Sequence, residues 1–371
     1  MHIALIISSF NLGGAEISLI NLANYLVSLV GKDYKVSIIT FASPLSLPCC
    51  PLSPKVNLLQ INQLQNYRSS YLIRFKNIIK RIVALRRAIS LLDPDVIISF
   101  VDLTNIASIV ATIGLKIPVI VSERTHPLYH NIPKIYQQLR IWLYPRAFRV
   151  VMQTDPGANY FKSICDSANV IVIPNAVRKP SNRKEFLSPT VNQVVSVGRL
   201  CSSKGFDTLI YAFAKIINYF PNLTLTIYGE GDERSNLENL ITDINLQRKV
   251  FLPGASQQIP EMLFYADLFV FPSNYEGFPN ALAEAMAAGL PIIASNCCGN
   301  ADLIVDRVNG CLFPVGNVDV LVTVMQELIG NFDLRSKLSL AARKIVDQFS
   351  EDRIYAKWQE IIDITGAKPE H

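Results

Sequence analysis

Two glutamates with seven residues between them, Glu276 and Glu284, are the side chains best suited to chemistry in this 371-residue sequence. They sit in Asn274-Tyr-Glu-Gly-Phe-Pro-Asn-Ala-Leu-Ala-Glu284, ahead of Ala-Met-Ala-Ala-Gly-Leu-Pro291. A carboxylate can accept hydrogen bonds from two vicinal hydroxyls at once, which suits ribose and hexose diols. The segment reads as a buried strand, a tight loop and a helix. Pro279 is expected in the first helical turn, Ala281 to Ala288 are strong helix formers, and Gly289 marks the stop. A helix that starts beyond the carboxyl end of a parallel strand presents free N–H groups and a positive dipole end, a setting for phosphate. Glu284 is accordingly assigned to ribose and Glu276 to a sugar; the plain alternative is a surface loop followed by an ordinary amphipathic helix.

Two cations could serve the same ligand. Arg199 and Lys204 lie five residues apart in Gly198-Arg-Leu-Cys-Ser-Ser-Lys-Gly-Phe206, on a strand-to-helix loop. There they could neutralise a departing diphosphate without a metal, although a solvated charge pair would look the same. Gly229 and Gly231, in Tyr228-Gly-Glu-Gly-Asp232, would permit close backbone approach to a nucleotide. Gly13-Gly14-Ala15-Glu16 follows the first strand and is not G-x-G-x-x-G, which argues against a dinucleotide enzyme; a simple tight turn is the alternative for Gly14.

Together these segments resemble the retaining GT-B glycosyltransferases of family four. The resemblance implies an α/β chain of two Rossmann-like domains whose parallel sheets face each other across a central cleft. It implies that Glu276 contacts the donor sugar, Glu284 the ribose, and the backbone of Gly277, Phe278, Pro279 and Asn280 the diphosphate. It further implies that Arg199 and Lys204 clamp the diphosphate, and that Gly229, Gly231 and the segment Val250–Gly254, with Leu252, lie by the nucleoside. Gly14 would let the first domain approach donor phosphate and acceptor. Where family members often carry a histidine near the reacting sugar, this chain has Val121-Ser-Glu-Arg-Thr-His-Pro127, and alignment on the strand puts Arg124 there instead of His126. Arg124 is then a candidate for charge stabilisation and His126 for contact with sugar or acceptor. Ser-Glu-Arg is similar to a branch that includes bacterial N-acetylgalactosamine, hexosamine and galactose transferases.

The elements that must position these residues follow from the apolar pattern. Length and a half-hydrophobic composition favour two domains. Short apolar runs alternate with amphipathic stretches, predicting parallel strands at His2–Ile7, Lys35–Thr40, Val96–Phe100, Val119–Val121, Val150–Gln153 and Val170–Ile173. The second half repeats the rhythm at Gln193–Val197, Thr224–Tyr228, Val250–Phe251, Leu268–Phe271, Pro291–Ala294 and Gly310–Phe313. The boundaries expected are an acceptor-binding domain over 1–178, a polar linker over 179–190 and a nucleotide-sugar domain over 191–349. A last helix, 350–366, could return to brace the first domain.

Charge separates the halves. Met1–Lys179 holds 19 Lys and Arg against 8 Asp and Glu, whereas the remainder holds 16 against 22. A basic first half points to an anionic partner. Tyr71–Ile89 carries six cations and no acid, namely Arg74, Lys76, Lys80, Arg81, Arg86 and Arg87. Such a helix could lie on an anionic membrane surface, or could be a core helix with a solvated basic face. No apolar run approaches the roughly 20 residues of a membrane span, and the start lacks the marks of a secretory signal. Seven cysteines without C-x-x-C spacing fit a reducing cytoplasm.

The expectation is a cytoplasmic enzyme, peripheral on the inner membrane, that moves a hexose or N-acetylhexosamine from a UDP-linked donor to a lipid-linked or oligosaccharide acceptor with retention. No nucleic-acid partner and no cofactor are implied. Asp93-Pro-Asp95 has the spacing of a metal motif but precedes a strand, at the wrong end of a parallel sheet, so metal-independent turnover is expected. Two rivals are a sugar-nucleotide 2-epimerase of similar two-lobed fold and a non-catalytic sugar-nucleotide sensor.

Overall fold

The computed structural model describes residues 1–10, 13–48, 50–63, 71–129, 132–180, 187–256 and 258–366; the side chains of residues 71–75 fall outside the description. The chain divides into two units, Met1–Ala176 with Asp352–His371, and Val177–Glu351.

Unit 1 runs β1 (His2–Ile7), α1 (Gly14–Ser28), β2 (Lys35–Thr40), β3 (Asn57–Gln60), α2 (Tyr71–Leu92), β4 (Val96–Phe100), α3 (Asp102–Thr112), β5 (Val119–Ser122), α4 (Lys134–Leu143), β6 (Arg149–Met152), α5 (Asp155–Ile164) and β7 (Val170–Val172). The strands form one sheet of order β3-β2-β1-β4-β5-β6-β7 with every pair parallel. Strands buried on both faces are largely apolar, which is why β1 and β4 read as hydrophobic runs interrupted only by His2 and Ser99. The edge strand β3 is only half-buried and was not anticipated from the apolar pattern. One sheet face is covered by α2, α3, α4 and α5, whose Leu85, Ile89, Ile106, Ile109, Leu143 and Phe161 enter a common core.

The C-terminal helix, Glu351–Gly366, belongs to this unit from Asp352 onward. Tyr355 packs on Tyr25 with ring centroids 4.6 Å apart, and Trp358 on Phe100 at 5.9 Å. Asp363 accepts from Lys32 Nζ at 2.9 Å and from the Tyr34 hydroxyl.

Unit 2 runs β8 (Gln193–Val197), α6 (Phe206–Ile216), β9 (Thr224–Tyr228), α7 (Arg234–Asp243), β10 (Val250–Gly254), α8 (Ile259–Tyr265), β11 (Leu268–Phe271), α9 (Asn280–Ala288), β12 (Ile292–Ser295), α10 (Asn300–Leu303), β13 (Cys311–Phe313), α11 (Val318–Gly330), α12 (Phe332–Ala342) and α13 (Ile345–Gln348). Its parallel sheet has the order β10-β9-β8-β11-β12-β13. The α/β class and the paired parallel sheets are as expected. In each sheet the winding reverses direction once, between β1 and β4 and between β8 and β11. Loops leaving the carboxyl ends of strands at such a reversal diverge and leave a crevice, the usual ligand position in open α/β sheets.

Candidate active site

In unit 2 the loops that bear the sequence candidates leave β8 and β11, the two strands at the reversal. After β8 the chain passes Gly198 and Arg199, makes a single 3-10 turn over Ser202–Lys204, and enters α6. After β11 it passes Pro272 to Pro279 and enters α9. Hydrogen bonds join the two loops: Asn274 N–H donates to the Ser203 carbonyl at 2.8 Å, and the Asn274 side-chain amide donates to the Ser202 carbonyl at 2.8 Å. Gly205 has φ +61°, and a Cβ there would stand 2.4 Å from the Pro272 carbonyl oxygen. Glycine is what allows the Lys204 turn to press against the Glu276 loop.

That contact brings Lys204 and Glu276 together from 72 positions apart: Nζ to Oε1 is 2.5 Å. The Ser273 hydroxyl donates to the same Oε1 at 2.7 Å, and the Glu276 N–H to the Cys298 carbonyl at 3.1 Å. Glu276 is 8% exposed, so its charge is held by a partner rather than by bulk water. Expected from the sequence at a diphosphate and a sugar respectively, Lys204 and Glu276 are here paired with each other, which their spacing does not foretell. Ser273 joins the site without a motif to announce it; its position just past an apolar strand is the only signal in the sequence. Arg199 differs from Lys204: its side chain is exposed and has no hydrogen bond or ion pair among the described residues. The loop thus carries one cation already neutralised and one open to an anion.

Pro279 is the residue before α9, with φ −81° and ψ 80°, so the helix starts at Asn280 and not at the proline. The Asn280 N–H donates to the Phe278 carbonyl at 3.0 Å, and Ala283 donates to the Pro279 carbonyl at 3.0 Å. The N–H groups of Gly277 and Phe278 donate to no backbone carbonyl among the described residues. These amides and the first turn of α9 provide donors for an anion. Between Leu282 and Leu290 every residue is buried except Glu284. Desolvation by the surrounding protein lifts the Glu284 carboxyl to about 7, with the Arg178 cation pulling the other way. Water at its exposed side tempers the effect, and the carboxyl remains a weaker acid than an ordinary glutamate.

The turn bearing Gly229 and Gly231 packs on the Arg199 loop. Leu200 N–H donates to the Glu230 carbonyl at 2.9 Å, and Glu233 N–H donates to the Leu200 carbonyl at 2.9 Å. At Gly229, with φ +153°, a Cβ would lie 1.8 Å from the Gly198 carbonyl oxygen. The absent side chain therefore first serves this loop-to-loop approach; the sequence suggested approach to a nucleotide. Leu252 lies in β10, half-buried, and its carbonyl accepts from Arg234 Nη2 at 3.2 Å.

In unit 1, Gly14 is the first residue of α1 and is exposed, so α1 opens beyond β1 at the reversal. Val101, directly after β4, has φ +75°, an uncommon and costly conformation for a β-branched residue. Its N–H donates to the Ser122 carbonyl at 3.1 Å, next to the Glu123-Arg124 segment. Arg124 folds inward. Its guanidinium lies 4.5 Å from the Phe100 ring centroid, donates to the Asn175 side-chain oxygen and lines a small pocket with Ser18, Asn21, Tyr355 and Trp358. Burial lowers it to about 9, opposed by the Glu16 and Tyr355 charges. Glu123 is buried against Arg140, at 3.7 Å, and accepts from the Tyr144 hydroxyl, which fixes the segment that carries Arg124.

His126 is 6% exposed, and its Nδ1 accepts from the Leu128 N–H at 3.3 Å, which leaves Nε2 to carry the proton of the neutral ring. Burial pushes its pKa below the ordinary value. Arg124 thus faces the α1 end of the unit, while His126 packs with Tyr129 and Tyr160, at 5.2 and 6.0 Å between centroids. The two side chains therefore have separate surroundings, Arg124 at the Phe100 ring and His126 among tyrosines.

Comparison with known proteins bears on the family and the fold. Residues 12–179 match the family described as Glycosyltransferase Family 4, and residues 178–345 match Glycosyl transferases group 1. A Campylobacter jejuni protein named GalNAc-alpha-(1->4)-GalNAc-alpha-(1->3)-diNAcBac-PP-undecaprenol alpha-1,4-N-acetyl-D-galactosaminyltransferase is 29% identical over 98% of both chains. An Escherichia coli UDP-Gal:alpha-D-GlcNAc-diphosphoundecaprenol alpha-1,3-galactosyltransferase is 31% identical over 52% of this chain and 55% of its own. Among solved structures, sucrose-phosphate synthase from Thermosynechococcus elongatus superposes with a TM-score of 0.84 over 98% of each chain at 19% identity, a likeness of fold. With both halves matched and the loops of β8 and β11 built as described, the chain belongs to the group 1, family 4 glycosyltransferases of GT-B fold.

Proposed function

We propose that this glycosyltransferase moves a hexose or N-acetylhexosamine from a UDP-linked donor to a carbohydrate hydroxyl on a lipid-diphosphate-linked glycan, with retention at the anomeric carbon. The observation that carries the reading is the Lys204–Glu276 pair beside Arg199 and the Gly277 and Phe278 amides, which have no hydrogen-bond partner among the described residues. A diphosphate would sit against those amides, Arg199 and Lys204, as the leaving group gains negative charge. Glu276 would then turn an oxygen to the sugar hydroxyls, and Glu284 would accept from the ribose diol. Both carboxylates are spent on binding, so the acceptor hydroxyl would attack on the leaving-group face while a diphosphate oxygen takes its proton. The names of the Campylobacter and Escherichia relatives, which print undecaprenol-linked acceptors, support the lipid-linked class.

Unit 1 would hold that acceptor at an anionic membrane surface through α2. Of its described cations, Lys76, Lys80 and Arg87 are exposed. Arg81 lies over the Phe41 ring and Arg86 donates to the carbonyls of Ala111 and Ile113 at 2.7 and 2.8 Å, so these two serve the fold. Arg74 lies among residues whose side chains are not described. Among the described residues no helix is long and apolar enough to cross a membrane.

The donor class and metal independence are tested together by a thermal-shift panel of UDP-, GDP- and ADP-sugars in EDTA, followed by turnover of the stabilising donor. UDP-sugars should stabilise and turn over in EDTA. Turnover lost on chelation and restored by manganese would overturn the cation-only leaving-group site.

A further inference from the structure

The basic excess of the first half is concentrated in one stretch. From Tyr34 to Thr154 the sequence holds 15 Lys and Arg against four acids, Asp93, Asp95, Asp102 and Glu123. Asp102 and Glu123 are 3% and 2% exposed, and the Asp95 carboxylate accepts from the His2 N–H at 2.7 Å. The same stretch supplies α2, α3 and α4, which pack side by side on one face of the sheet. Because α3 is almost wholly buried, the outer surface of the layer belongs to α2 and α4.

On α4 that surface is unusual for a solvated helix. Ile135, Gln138 and Trp142, spaced three and four residues apart, form its exposed stripe, with Ile135 67% and Trp142 60% exposed. Lys134 and Arg146, both exposed, border the stripe, and no acid lies between Thr125 and Thr154. Arg146 lies over the Trp142 ring at 4.3 Å and donates to the Trp142 carbonyl at 2.7 Å. A tryptophan left in water, carrying a guanidinium and flanked by an aliphatic side chain, is the composition of a membrane-interface anchor. The indole sits at headgroup level and the cations meet lipid phosphates. A protein partner would need acidic groups to match, whereas an anionic bilayer supplies them in every direction.

We infer that the outer face of α4, with Trp142 and Ile135 as apolar contacts and Lys134 and Arg146 as phosphate contacts, is a second docking element for an anionic lipid bilayer. This rests on the membrane reading of α2 given above and adds to it a fixed orientation: two contacts on one helical layer define how unit 1 lies on the lipid, whereas one allows it to roll.

The chain has two tryptophans, and the other, Trp358, is 3% exposed in the core, so emission changes from an accessible indole report on Trp142. The full-length protein is mixed with phosphatidylglycerol vesicles whose acyl chains are brominated, and with phosphatidylcholine vesicles as control, while sedimentation measures binding separately. The expected result is vesicle binding on phosphatidylglycerol only, with a blue shift and bromine quenching that disappear in Trp142→Phe. Arg146→Gln should weaken partitioning roughly 5-fold, the weight of one cation near an anionic surface. Neither variant should change the melting temperature or turnover of a soluble acceptor. Sedimentation with vesicles but no quenching of Trp142 overturns the α4 contact and leaves the α2 reading standing. Absence of sedimentation overturns both. A blue shift without lipid that grows with protein concentration overturns it in favour of a second copy of this chain.

Discussion

Lys204 and Glu276 hold each other before any ligand arrives, and this makes their variants informative. Lys204→Met removes a charge that should stabilise the leaving diphosphate, and kcat/KM is expected to fall by about 100- to 1000-fold, mostly in kcat. Glu276→Gln leaves a largely enclosed ammonium without its counter-charge, so it should lower activity and also cost thermal stability, separable by a melting curve beside the kinetics. Glu284 adds a pH signature. Its carboxyl titrates higher in the folded protein than in an unfolded chain, so ionisation above the ordinary carboxylate range works against the free fold. Glu284→Gln should raise the melting temperature at pH 8 and leave it unchanged near pH 4. Donor affinity should move oppositely, rising as pH climbs above the ordinary carboxylate range in the natural protein, because the ionised carboxylate would be the better acceptor for ribose hydroxyls, and staying flat in Glu284→Gln. Titration of donor binding from pH 5.5 to 8.5 checks this. The residue types of this site were legible in the sequence because strand, loop and helix signals surrounded Glu276. Its pairing was not, since a contact between positions 204 and 276 depends on which strands become neighbours.

Among the elements, α2 shows how one basic helix divides its labour. Arg86 closes the carboxyl end of α3 by donating to two carbonyls, whereas Lys80 and Arg87 face solvent. Arg86→Ala is expected to destabilise the protein by about 1.5 to 3 kcal/mol, the range for hydrogen bonds made by a charged donor. Replacing Lys80 and Arg87 together by glutamine should leave the melting temperature within about 1 °C, since exposed surface changes cost little, while reducing binding to anionic vesicles. Equal losses of stability from both sets would contradict the division. From sequence alone the six cations of 71–89 are equivalent. Their separation follows from helical phase, which turns positions 81 and 86 toward Phe41 and the end of α3 and positions 76, 80 and 87 away. The edge strand β3 escaped notice for a related reason: it is half-buried and short, so it lacks the continuous apolar run that exposed the central strands.

For the molecule as a whole, the chain leaves unit 1 near Ala176 and returns to it at the C-terminal helix. Removing residues 351–371 would strip Trp358 from Phe100, Tyr355 from Tyr25 and Asp363 from Lys32 and Tyr34. The truncated protein should lose the cooperative melting of unit 1, detected as rapid amide exchange in β1 and β4, while the strands of unit 2 stay protected. Equal protection in both sheets would contradict a bracing role.

Sugar transfer from a UDP-linked donor is the activity proposed for the Lys204–Glu276 site. Its most direct test is product analysis by mass spectrometry and anomeric NMR coupling. The enzyme is incubated in EDTA with the UDP-sugar that stabilises it and a polyprenyl-diphosphate-linked glycan. The expected product is an acceptor heavier by one hexose or N-acetylhexosamine residue, joined with the donor's anomeric configuration, and formed about 100- to 1000-fold more slowly by Lys204→Met. An isomerised sugar nucleotide formed from donor alone, with the acceptor unchanged, would contradict it.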